Sequence, residues 1–131
     1  MIIGQVNAFY EAVIPIRLLD ATGTIHEFEA IVDTGFNGTL TLPPDMIAAL
    51  RLPWRTRGNA ILADGSEETF DIYVASVIWE GTPRSILVEE VEMMPLVGMR
   101  LLADCDMRLR VQPGGVVQIV ALHGTEESSV S

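Results

Sequence analysis

Clusters of Gly, Pro, Asp and Asn interrupt the chain wherever an apolar pattern starts to build, so only short elements can form between them. Val13–Leu19 places Ile14, Ile16 and Leu18 on one side, the alternation of a half-buried strand. Pro15 within it predicts an edge position or a bulge, because proline cannot donate to a ladder. Asp20–Gly23 reads as a turn, Thr24–Val32 as a second strand, and Asp33–Gly38 as a run of turn formers. Thr39–Leu42 resumes a strand, and Pro43-Pro44-Asp45 then opens a short helix over Met46–Leu50. Asn59–Val77 reads as a long hairpin turning at Asp64-Gly65. Arg84–Val88 is another strand, and Leu96–Leu102 a short helix carrying Gly98. Met107–Val111 and Val116–Leu122 form a last hairpin around Pro113-Gly114-Gly115. Many short strands with one or two short helices predict an all-β domain, a small closed β-barrel or a sandwich.

The length of 131 residues suits one domain, read here as residues 1–124 followed by a disordered tail, Thr125–Ser131. Eighteen acidic against eight basic residues give a formal charge of −10, and all eight basic residues are Arg. Without Lys there is neither a Schiff-base lysine nor a Walker A phosphate loop. An acidic chain also lacks the basic face that nucleic acid requires. Cys105 is the sole cysteine, which excludes an intrachain disulfide and a Cys-rich zinc site. His26 and His123 show no metal-ligand spacing, so no metal and no cofactor is expected. No signal peptide and no apolar run of membrane-spanning length is visible, and the expected location is the cytoplasm, without a membrane partner. An apolar fraction of 49% is high for a small domain and points to a subunit interface.

The densest chemical signal is Ala30-Ile31-Val32-Asp33-Thr34-Gly35, an apolar strand running into an acid, a hydroxyl and a glycine. The strand would hold the carboxylate of Asp33 rigidly. Thr34 could fix the loop by hydrogen bonding, and Gly35 leaves room for a close approach to the acid. Burial at the end of a strand is also a means of tuning a carboxyl group's proton affinity. The bland alternative is a turn closing a hairpin, with Asn37-Gly38 as a second turn signal.

This sequence resembles the aspartic proteases, which carry an apolar pair before Asp-Thr-Gly, later a flap hairpin, and later still an apolar pair before Gly. Here those elements are Ile31-Val32-Asp33-Thr34-Gly35, the turn Ala63-Asp64-Gly65, and Leu96-Val97-Gly98. Their order and spacing agree over about Val13–Ile119. With one Asp-Thr-Gly and no second lobe, the chain is similar to the retropepsin-type members, small proteins active as homodimers. The resemblance implies that Asp33 and its symmetry mate share one proton, since two carboxylates so close cannot both ionise. One would act as general base on a water while the other polarises the scissile carbonyl of a peptide or protein substrate. Thr34 and Gly35 would support the loop, Ala63, Asp64 and Gly65 would form the flap, and Gly98 would be a structural glycine before a helix. The sequence departs from the retroviral pattern at Phe36-Asn37-Gly38 and at Met99-Arg100. Phe36 either fills part of a substrate pocket or packs inside. That departure motivates a second reading, a retropepsin-fold dimer that binds peptides without cleaving them. A third is an unrelated β-barrel.

The remaining features read as ordinary structure. Asp104-Cys105-Asp106 lacks the further ligands of a calcium loop, and Cys105 reads as a small buried thiol. Met93, Met94 and Met99 read as core or interface filler. Glu89, Glu90 and Glu92 read as a solvated face. The apolar ends Met1–Val6 and Val116–Leu122 are candidate intersubunit strands, since free edges invite pairing.

Overall fold

The structure is a computed structural model that describes residues 1–122; the tail Thr125–Ser131 lies outside the described residues. Ten strands and one helix follow in the order β1 (Ile2–Val6), β2 (Ala12–Leu19), β3 (Ile25–Val32), β4 (Leu40–Leu42), α1 (Pro44–Leu50), β5 (Trp54–Ile61), β6 (Glu67–Trp79), β7 (Thr82–Glu90), β8 (Leu96–Val97), β9 (Cys105–Leu109) and β10 (Val116–Ala121). They form one sheet in the order β5-β6-β7-β4-β8-β3-β2-β1-β10-β9. A further contact of β6 with β2, Leu18↔Val77 and Leu19↔Ser76, curls the sheet back on itself. Most neighbours are antiparallel; β8 on β3 and β4 on β7 are parallel.

The alternation in β2 sets the core. Ile14, Ile16 and Leu18 are buried, together with Leu40, Leu42, Val88, Val97 and Leu101 from other elements. Each such side chain contributes about 1.5–3 kcal/mol when removed from water. Pro15 sits where its missing N–H costs nothing. Its strand pairs with β3 on one side at Pro15↔Glu29, while on the other side the contacts with β1 end at Val13 and those with β6 begin at Leu18. Pro43 flanks α1 in an extended conformation, Pro44 fills its first turn, and Arg51 ends it at φ 54°.

Two expectations change. Leu96–Leu102 is not a helix: Leu96–Val97 is a strand, and turns follow it. The reason lies in the backbone donors. Those of Gly98, Met99 and Arg100 reach across to the carbonyls of Thr39, Phe36 and Gly38, and Leu101 N–H closes only a tight turn onto Gly98 O, so no i−4 ladder is started. The second change concerns the ends of the chain. β1 pairs with β10 from Ile2↔Ile119 to Gln5↔Val116, and each has a second neighbour, so these strands lie inside the sheet rather than at a free edge. The two ends of the sheet are β5 and β9.

Candidate active site

Strand β8 explains the position of Asp33. It lies between β3 and β4, parallel to the first at Val32↔Val97 and antiparallel to the second at Leu40↔Val97. The loop joining β3 to β4 must therefore pass around the end of β8, and Asp33 is its first residue. The Asp33 N–H donates to the Val97 carbonyl at 2.9 Å, continuing the β3–β8 ladder by one residue. Its Oδ1 accepts the Gly35 N–H at 2.9 Å, and its carbonyl accepts the Phe36 N–H at 3.1 Å. The half-buried carboxylate is thus held by its own loop.

The opposite side of the loop is tied to the segment after β8. Gly98 N–H donates to Thr39 O at 3.0 Å, Met99 N–H to Phe36 O at 2.8 Å, and Arg100 N–H to Gly38 O at 3.1 Å. The Arg100 guanidinium adds a contact to Asn37 O at 3.4 Å. Gly98 is buried against this loop, and a Cβ there would run into the Gly38 carbonyl and the Phe36 ring. Beneath it, the buried Thr41 hydroxyl accepts the Leu96 N–H at 3.0 Å. Asp-Thr-Gly and apolar-apolar-Gly, far apart in sequence, are one hydrogen-bonded unit.

Asp33, Gly35 and Phe36 form part of a cleft of about 490 Å³, a size suited to a ligand or several peptide side chains. One wall comes from the β5–β6 hairpin through Ala60 and Glu68–Asp71, the other from Glu89–Met93. Phe36 is half-buried and does both things the sequence allowed: it packs against Gly38 and Gly98 and also faces the cleft. Thr34 is exposed.

The hairpin tip lies apart from the cleft lining. Ala63, Asp64 and Gly65 are exposed, with Gly65 at φ 88°. The Asp64 carboxylate accepts from the Ser66 hydroxyl and N–H at 2.6 and 2.9 Å, and these bonds hold its pKa below the usual value. It is residues lower on the hairpin that reach the cleft.

Glu89 and Glu90 are half-buried rather than part of a solvated face, while Glu92 is exposed as expected; all three line the cleft with Asp33, Glu68 and Asp71. Asp71 accepts the Trp54 indole N–H at 3.0 Å and meets Arg57 Nε at 3.5 Å. Glu90 accepts the Tyr73 hydroxyl at 3.3 Å. Burial, reinforced by Glu90, raises the Tyr73 pKa, and burial raises that of Glu89. The pattern Ile86-Leu87-Val88-Glu89, with an acid taking the next place in an alternating strand, was the available signal for Glu89. Among the described residues, no group of three or more His, Cys, Asp or Glu side chains is arranged to hold a metal ion. No helix is long and apolar enough to cross a membrane among the described residues.

No protein-family model matches the chain, and no curated protein matches it. Among solved structures, it is similar to a retropepsin-like aspartic protease from Rickettsia conorii, with a TM-score of 0.54 over 91% of this chain and 90% of that one. The fold is retropepsin-like. Sequence identity is 16%, so the likeness speaks to the retropepsin-like fold and not to activity.

Proposed function

We propose that the chain is an aspartic endopeptidase active as a homodimer, with Asp33 from each subunit forming the catalytic pair. The observation that carries this reading is the placement of Asp33: its backbone is fixed by the Val97 carbonyl and its carboxylate by the Gly35 N–H, at a cleft shared with a hairpin. We read the β2–β6 contact as closure of the barrel expected for such a fold. The dimer is supported by the exposure of Thr34 at the loop and by large apolar side chains left in water, including Phe9 at 81% and Tyr10 at 64%.

In the mechanism, one carboxylate of the pair is ionised and the other protonated. The ionised group takes a proton from water as its oxygen bonds to the scissile carbonyl carbon. The protonated group donates to the carbonyl oxygen. The C–N bond then breaks, and the leaving amine takes up a proton. The hairpin would close over an extended peptide and pair with its backbone, as in strand addition.

The test is cleavage of an unstructured peptide library across about pH 4–7, with the native protein and Asp33→Asn side by side. The expected result is cleavage by the native protein alone. Equal cleavage by both would refute a role for Asp33. Phe36 in the cleft favours a second reading, a dimer that binds peptides without hydrolysis; binding unaffected by Asp33→Asn, with no cleavage by either protein, would select it.

A further inference from the structure

The cleft carries a charge pattern that its catalytic reading does not use. Six carboxylates line it and no arginine does among the described residues. Asp71 and Glu90 have partners in the Arg57, Trp54 and Tyr73 side chains. Glu89 is different. It is the penultimate residue of β7, next to the buried Val88, and its carboxylate lies over Gly38, in the loop that begins at Asp33. A Cβ at position 38 would stand 2.5 Å from Glu89 Oε2, so the missing side chain at Gly38 is what seats this carboxylate. It is half-buried, and among the described residues no side chain forms an ion pair with it.

We infer that the cleft selects peptides bearing a basic side chain, Arg or Lys, and that Glu89 is the residue that receives it. This rests on the reading of the cleft as a peptide-hydrolysing site. A partly desolvated carboxylate without a cation is unfavourable, and a guanidinium or ammonium arriving with the substrate relieves it through charge-assisted hydrogen bonds. The surrounding carboxylates raise the local concentration of cationic peptides and repel acidic ones. Glu89 is thus a specificity-determining residue; the reacting atoms belong to Asp33.

The experiment measures kcat/KM for three peptides that differ at one position, Arg, norleucine or Glu, with the native protein, Glu89→Gln and Glu29→Gln. Glu29 is exposed on β3 and lies outside this cleft, so its variant removes the same charge elsewhere. The position is scanned along the peptide so that every subsite is sampled. The native protein should prefer Arg over norleucine by about tenfold or more at one position. That ratio should collapse toward unity in Glu89→Gln and persist in Glu29→Gln. A native protein without preference for Arg, or a preference that survives Glu89→Gln, overturns the inference. If the native protein cleaves none of the peptides, the hydrolytic reading fails by itself. Fluorescence anisotropy with the same labelled peptides then decides the charge claim. Preferential binding of the Arg peptide, lost in Glu89→Gln, upholds it; equal binding or no binding overturns it.

Discussion

At the scale of single residues, the loop around Asp33 depends on what is absent from two glycines. Gly98 faces the Gly38 carbonyl and the Phe36 ring with no room for a methyl group. Gly98→Ala should therefore lower stability by about 1–3 kcal/mol, the cost of overpacking a fixed core, seen as a lower urea midpoint. Its side effect would be displacement of the loop that carries Asp33. Glu89 makes the opposite prediction. Burial raises its pKa above the ordinary value of 4.5, so the folded state disfavours the ionised form. The stability penalty is absent below that value and grows as pH rises through the folded pKa. Glu89→Gln should raise the urea midpoint near neutral pH and leave it unchanged in acid. Asp20 has the reverse sign. Hydrogen bonds from the Thr22 hydroxyl at 2.6 Å, His26 at 2.8 Å and the Thr24 N–H at 2.9 Å hold its pKa far below the usual carboxylate range. Its stabilisation is present above the unfolded value near 3.8 and fades as pH falls below it. Thermal unfolding of Asp20→Asn from pH 7 down to pH 2 should show its largest deficit at neutral pH and a deficit that narrows steadily once pH falls below 3.8.

Among the elements, β8 has the fewest residues and the greatest consequence. Two residues wide, it bridges β3 and β4 and fixes where Asp33 emerges. The motif on either side of it was legible because each half is local: an apolar run into Asp-Thr-Gly, and an apolar pair before Gly. The conformation after Gly98 was not legible. Met99-Arg100-Leu101-Leu102 has helix-compatible residues, but the backbone donors of Met99 and Arg100 are committed to Phe36 and Gly38, a long-range choice that no local pattern reveals. The half-burial of Glu89 and Glu90 escapes a local reading for a related reason. Which way an acid at the end of β7 faces depends on the parallel pairing of β7 with β4, Leu40↔Val88, across a long separation in sequence. By contrast, the β5–β6 hairpin was read correctly at its turn because Asp64-Gly65 carries the signal locally. Its tip exposes Ile61 at 75% and Leu62 at 43%, directly after Ala60 of the cleft wall in sequence.

For the whole molecule, the pairing of β1 with β10 changes what a truncation can report. Ile119 is fully buried and opposite Ile2, and Val117 lies in the same strand. Removing residues 119–131 should disrupt this end of the sheet and lower the thermal midpoint, rather than release an intact monomer. The dimer is better tested through the site it completes. If each active site needs one Asp33 from each of two subunits, mixed dimers of native and Asp33→Asn chains are inactive. The most direct measurement is therefore peptide cleavage after the two chains are unfolded together, mixed in varied ratio at constant total concentration, and refolded. An equal mixture should retain about a quarter of the native activity, the statistical share of all-native dimers. Activity falling in simple proportion to the native fraction would contradict the account, because each subunit would then be working alone.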